Sequence, residues 1–177
     1  MRFEDVLHPT PQGLYSPPGD FWIDPVVPVP RALITHGHAD HARAGHGAVL
    51  ATRQTLDIMA LRYGEGFTDT RQEAGAEPVD IGGVTVRFVP AGHVLGSAQI
   101  VLDHGGKRFV VSGDYCRHPN PACAPFEPVP CDVFVTEATF ALPVFKHPDP
   151  AEEIARLMQS LAAFPDRAHL VGAYALG

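Results

Sequence analysis

Nowhere in the 177 residues does an apolar run approach the roughly 20 needed to span a bilayer, which argues against a membrane-spanning helix. The opening segment, Met1 to Leu7, carries Arg2, Glu4 and Asp5 and has no apolar stretch, so no signal peptide is expected. Cysteine is scarce. Cys116, Cys123 and Cys131 form no C-x-x-C pair, and an odd number without a secretion signal points to free thiols in a reducing cytoplasm. A separate zinc site at Cys116, His118 and Cys123 is disfavoured by its irregular, proline-interrupted spacing. Positive charge is short as well: 13 Lys and Arg against 20 Asp and Glu leave a net −7. That is the wrong sign for holding nucleic acid by bulk electrostatics. It does not exclude a nuclease, because two bound divalent cations would add roughly +4 at the site itself. Internal repeats and low-complexity segments are also missing.

What remains is the material of one domain. The length suffices for a sizeable core, and the hydrophobic share of 45% is ordinary for a globular chain. The first thirty residues, rich in Pro, Gly and aromatics, read as short edge strands and turns. Strands are expected at 32–35, 48–51, 84–89 and 132–136, and a hairpin at 98–102 and 108–112 with its turn at 103–107. Thr52 should cap a helix from Arg53 to Tyr63 that stops at Gly64. Asp149, Pro150 and Glu152 form a second helix start with a capping box, and Ile154, Leu157, Met158 and Leu161 share one face. Residues 169–175 read as a buried strand. An end directly after such a strand is unusual for a finished domain, so the sequence reads as truncated.

Ten histidines are present, and their placement carries the chemistry. Thr35-His36-Gly37-His38-Ala39-Asp40-His41 puts four potential metal ligands within six residues, at the C-terminal end of an expected strand. Imidazole and carboxylate together suit zinc or a similar borderline metal. His36 and His38 can converge on one ion. Asp40 and His41, where the chain is expected to turn into a helix, point to a second position. Gly37 and Ala39 let the backbone fold tightly. Three more ligand-type residues each follow a strand: His93 in Ala91–Ser97, Asp114 in Ser112-Gly113-Asp114, and Glu137 in Thr136-Glu137-Ala138-Thr139. All could sit on one rim of a sheet. The remaining histidines have no ligand-like spacing, and His46 reads as the end of the short helix after the motif.

The pattern resembles the metallo-β-lactamase superfamily. Its H-x-H-x-D-H motif is matched by His36, His38, Asp40 and His41, its later histidine by His93 and its bridging aspartate by Asp114. Thr136–Thr139 resembles the first motif of the β-CASP branch, which includes DNA and RNA nucleases. Gly13–Tyr15, Trp22–Pro25, Leu142–Phe145 and Val171–Gly177 look closer still to bacterial ligase-associated DNA exonucleases. The resemblance covers essentially the whole chain.

This resemblance implies an α/β fold of αββα layering. Residues 1–147 would form the N-terminal part of the metallo-β-lactamase domain, and 148–177 would begin an inserted β-CASP domain. It implies two divalent metal ions, zinc foremost and manganese as the other candidate. His36, His38 and His93 would hold one, and Asp40 and His41 the other, with Asp114 bridging. Glu137 would orient a ligand or a late catalytic histidine, so Asp40, Asp114 and Glu137 form the expected catalytic set. The family's last metal histidine would lie beyond Gly177. The implied substrate is nucleic acid, DNA ahead of RNA. DNA ligase and helicase are implied partners, DNA repair the setting, and the cytoplasm the location, with no membrane. Three other readings stay open: an RNA-processing β-CASP ribonuclease, a hydrolase of small thioesters or lactams, and a non-catalytic scaffold.

Overall fold

The computed structural model describes residues 2–176. A short 3-10 turn, Phe3–Asp5, leads into a first sheet of six strands. These are β1 (His8–Thr10), β2 (Gly13–Ser16), β3 (Phe21–Ile23), β4 (Arg31–Leu33), β5 (His46–Ala51) and β6 (Thr68–Glu73), paired in chain order. β1 to β3 pair antiparallel, and β3 to β6 run parallel. The second sheet holds β7 (Val79–Ile81), β8 (Val84–Pro90), β9 (Ala98–His104), β10 (Lys107–Val111) and β11 (Val133–Val135), in the order β11-β10-β9-β8-β7. β7 to β10 are antiparallel neighbours, and β11 joins β10 in parallel.

Alternation along the strands builds the layers. Phe21, Ile23, Leu33 and Leu50 of the first sheet meet Val84, Val86, Ile100, Leu102, Phe109 and Val111 of the second in one buried cluster. Each large side chain so buried stabilises the fold by about 1.5–3 kcal/mol. The other face of the first sheet packs Ala32, Ile34 and Val49 against Leu56 and Met59 of helix α1 (Arg53–Tyr63). On the outer face of the second sheet, Val89, Val101 and Val110 are covered by Val129 from a proline-rich segment. The chain is therefore α/β with two stacked sheets.

The expected α1 is found with its bounds. Thr52 Oγ1 accepts the Thr55 N–H, and Gly64, at φ 85°, ends the helix. The hairpin is found as well, with a longer first strand, a second strand shifted by one residue and a tighter turn at Gly105-Gly106. Four expectations need correction. Residues 39–42 after the histidine motif form a turn, not a helix, closed by His41 and Ala42 N–H groups on the His38 carbonyl. His46 accordingly opens β5, fully buried, instead of ending a helix. α2 (Pro150–Ala163) starts at Asp149, but the cap bond comes from Ala151 and no box with Glu152 forms. Residues 169–175 form no strand: Leu170, Val171 and Tyr174 are exposed, because no neighbouring strand takes their backbone bonds.

The chain divides into two compact units. One runs through Glu137 and takes in Leu176; the other is Ala138–Ala175. The second unit consists of α2 and irregular backbone, and none of its residues is buried. Among the described residues, no helix is long and apolar enough to cross a membrane.

Candidate metal centre

Parallel strands bring their C-terminal ends to one rim, and the chemistry collects there. The backbone after β4 turns through residues 34–41. Ile34 N–H bonds to Leu50, and the Thr35 carbonyl accepts Ala98 N–H, which ties the turn to both sheets. The loop after β8 delivers His93, the loop after β10 delivers Asp114, and the end of β11 delivers Glu137. Gly37 is packed against Ile58, where a Cβ would come within 2.9 Å of Cγ2, so any larger residue would force Ile58 to shift.

His36 Nε2 and His38 Nδ1 lie 3.0 Å apart, and His38 Nδ1 and His93 Nε2 lie 3.2 Å apart. Asp114 Oδ2 stands 3.8 Å from His36 Nε2 and 3.7 Å from His93 Nε2. All four ligand atoms fall within 4.8 Å of one another. The other Asp114 oxygen, Oδ1, faces His41 Nε2 at 3.5 Å, and Asp40 approaches the same nitrogen at 3.7 Å. Asp40 is the outermost member, its side chain 75% exposed. Glu137 is near enough to raise the proton affinity of His93, and its N–H donates to the Ser112 hydroxyl. It lies outside the four-ligand group.

The outward ring nitrogens decide what the inward ones offer. Thr35 donates its hydroxyl proton to Asp24 Oδ2 (2.6 Å), so its oxygen accepts from His36 Nδ1–H (3.0 Å). His38 Nε2 donates to the Leu176 carbonyl at 2.9 Å. His41 Nδ1 donates to Asp24 Oδ2 at 2.8 Å. In the neutral rings His36 Nε2 and His38 Nδ1 are then bare, two lone pairs facing each other at 3.0 Å. A cation between them resolves that repulsion, and such spacings are what tetrahedral ligands about 2.0–2.1 Å from one zinc would have. The residues therefore fit a metal ion.

Burial, with like charge at His41, His93 and His38, pushes the His36 imidazolium down to about 2, so this ring stays neutral. Burial also lowers His93, against the opposing charge of Asp114. At His41 burial lowers the pKa, but the Asp24 hydrogen bond and the charges of Asp24, Asp114 and Asp40 outweigh it and raise it.

Six expected ligand-type residues thus come together: His36, His38, His93 and Asp114 as one group, with Asp40 and His41 beside it. Sequence reasoning missed the orienting role of Asp24. It adopts φ 45°, and it also accepts the Thr35 N–H at 2.8 Å. A polar residue ending an apolar strand just before Pro25 was the available signal. Beside His41 and Asp114 opens a cavity of about 320 Å³, walled by Leu14, Ile23, Val26, Val111 and Val135 and rimmed by Asp24, Asp40 and Glu137.

Imidazoles and carboxylates gathered at the strand ends of a two-sheet sandwich define a class of metal-binding α/β proteins. No protein-family profile matches the chain. Curated relatives narrow the class. A probable DNA ligase of Opitutus terrae is 28% identical over 141 residues, covering 79% of this chain and 14% of that protein. The endoribonuclease YSH1 of Candida glabrata is 38% identical over 176 residues, 76% of this chain and 22% of its own length. A ribonuclease of Thermus thermophilus is 30% identical over 150 residues, 68% of this chain and 34% of its own. The chain belongs to the metallo-β-lactamase superfamily, in its β-CASP branch, and spans about a third or less of each of these relatives.

Proposed function

We propose that this chain carries the metal centre of a phosphodiester hydrolase, a DNA exonuclease acting in cytoplasmic DNA repair. One observation carries the reading: the two oxygens of Asp114 face different imidazole sets, Oδ2 toward His36 and His93 and Oδ1 toward His41. A carboxylate so divided suits a bridge between two divalent ions, zinc or manganese. His36, His38 and His93 would hold one, and Asp40 and His41 the other. Such ions supply Lewis acidity, neutralising charge on phosphoryl oxygens and making hydroxide available at neutral pH.

The chain's own groups do the rest. The Asp24 carboxylate and the Thr35 hydroxyl keep the outward nitrogens of His41 and His36 protonated, so the inward nitrogens are ready as donors. Asp40, exposed at the mouth, can accept a proton. Glu137 would orient a ligand or a late catalytic histidine. On this reading residues 1–147 are the N-terminal part of the metallo-β-lactamase domain and 148–177 begin the β-CASP insertion. Ligase and helicase are then the natural partners. The DNA ligase relative supports DNA, while the ribonuclease relatives favour RNA as the second reading.

The test is digestion of end-labelled linear DNA, closed circular DNA and RNA by the whole protein, with and without chelator. Linear DNA should shorten to single nucleotides or short products, circles should survive, and chelator should stop the reaction. Circles cut as fast as linear DNA would make it an endonuclease. Degradation of RNA alone would remove the repair role and leave the metal chemistry standing.

A further inference from the structure

We propose that Ser97 is a positioning residue for His93, shaping the loop that turns this imidazole into the metal centre. The proposal rests on the metal-centre reading above and adds to it a residue that no ligand pattern points to. His36, His38 and His41 are each steadied through the outward ring nitrogen. For His93 the ordering bonds fall on the backbone. Ser97 Oγ accepts the N–H of His93 at 3.0 Å and the N–H of Val94 at 3.1 Å. Asn120 Nδ2 donates to the His93 carbonyl at 3.3 Å. Both backbone groups of the ligand residue are thereby fixed.

The rest of the loop is closed around the same serine. Ser97 N–H donates to Val94 O at 2.9 Å, and Ala91 N–H donates to Ser97 O at 3.1 Å. The carbonyl of Gly96 accepts from the hydroxyls of Thr52 (2.7 Å) and Thr55 (3.2 Å), which anchors the loop to the first turn of α1. Gly96 has φ +78°, and a Cβ there would meet Gln54 Cβ at 2.6 Å, so the loop sits directly on the helix. Ser97 itself is 8% exposed, which leaves little water to replace its oxygen. Removing the hydroxyl would strand two N–H donors that the loop geometry aims at one point. The loop would relax by turning one of them outward. That rotation swings His93 Nε2 away from His38 Nδ1 and Asp114 Oδ2, now 3.2 and 3.7 Å distant.

The experiment compares the whole protein with Ser97→Ala, Ser97→Thr and Asn120→Ala. Zinc affinity is read by competition with a chromogenic chelator, and thermal melts are run in excess chelator. Ser97→Ala should weaken zinc binding ten- to a hundredfold, the range for residues that orient a ligand. Ser97→Thr, which keeps the oxygen, should recover most of it. Asn120→Ala should weaken binding in the same direction while leaving the chelator-state melt near wild type, and it serves if Ser97→Ala fails to fold. Wild-type zinc affinity in both Ser97→Ala and Asn120→Ala, with zinc bound by the parent, overturns the positioning role alone. A parent protein that binds no zinc overturns the metal centre and this proposal together. Equal losses in the alanine and threonine variants would mean that packing rather than the hydroxyl matters, and would also overturn it.

Discussion

Asp24 and His41 are joined by a hydrogen bond of 2.8 Å from Nδ1 to Oδ2, across 17 residues of sequence. The same oxygen accepts the Thr35 hydroxyl, and Thr35 in turn holds His36, so one carboxylate sets two imidazoles. Asp24→Asn removes the charge while keeping the shape, and asparagine tolerates the positive φ at this position. Zinc affinity should fall about tenfold to a hundredfold. Chelator competition on wild type and variant measures this, and equal affinities would refute an orienting role for Asp24.

Direct removal of ligands should act harder. Elemental analysis of the dialysed whole protein should find two divalent ions per chain in the wild type. Asp114→Ala should remove most of the metal, since on the proposed reading that carboxylate would serve both positions, its two oxygens facing His36 and His41. His38→Ala should remove the ion shared with His36 and His93. A wild-type protein free of metal would end the two-ion reading.

The histidine cluster was legible because metal ligands must be side chains of a few types, and four of them fall within one turn of chain. Helix α1 was legible from a threonine cap and a glycine stop, both local signals. β6 was not: Thr68–Glu73 is polar throughout, with only Thr68 buried, because it is an edge strand whose side chains face solvent. Its pairing with β5 is a backbone matter that side-chain pattern does not encode. The opposite error fell at 169–175, where apolar residues suggested a buried strand and the structure leaves them exposed without a neighbour. Asp24, Ser97 and Asn120 escaped notice for a third reason. Asp24 and Asn120 work through hydrogen bonds to residues distant in sequence, as with Asn120 and His93 at a separation of 27, and Ser97 works through its side-chain oxygen on nearby backbone N–H groups, which no ligand pattern marks.

Gly113 precedes Asp114 at φ +55°, and a Cβ there would sit 2.6 Å from Thr35 Cβ and 2.7 Å from its Oγ1. Gly106 has a similar φ of +74° with nothing within 4 Å. Alanine at Gly106 should therefore cost only the left-handed backbone penalty, about 1–2 kcal/mol. Alanine at Gly113 should cost about 1–3 kcal/mol more, from overpacking against Thr35. It should also weaken zinc binding by moving Asp114. Urea denaturation of both variants in chelator measures the difference, and equal costs would show that the contact with Thr35 yields freely.

His46 offers a pH signature separate from the metal ligands. It is 1% exposed, and its Nδ1 accepts the Val29 N–H at 3.3 Å. The neutral ring then carries its proton on Nε2, which finds no hydrogen bond of normal geometry. Burial lowers the pKa below the usual 6.5, and the Arg43 carbonyl only partly offsets it. Protonating Nδ1 would also set it against the Val29 N–H, donor to donor. Below pH 6.5 the unfolded chain takes up a proton here that the folded chain refuses. Stability is therefore full above that pH and falls as the solution is acidified toward the folded-state pKa. A single group of this kind contributes a slope of up to about 1.36 kcal/mol per pH unit. Urea melts in chelator at pH 7.5 and 5.5 should show wild type losing more stability on acidification than His46→Leu. The leucine variant will start lower at pH 7.5, because it leaves the Val29 N–H unpaired, so the comparison is between the two pH differences. His36, the other neutral buried ring, is common to both proteins and cancels. Identical losses in the two proteins would mean that His46 takes up its proton in the folded state as readily as in the unfolded chain.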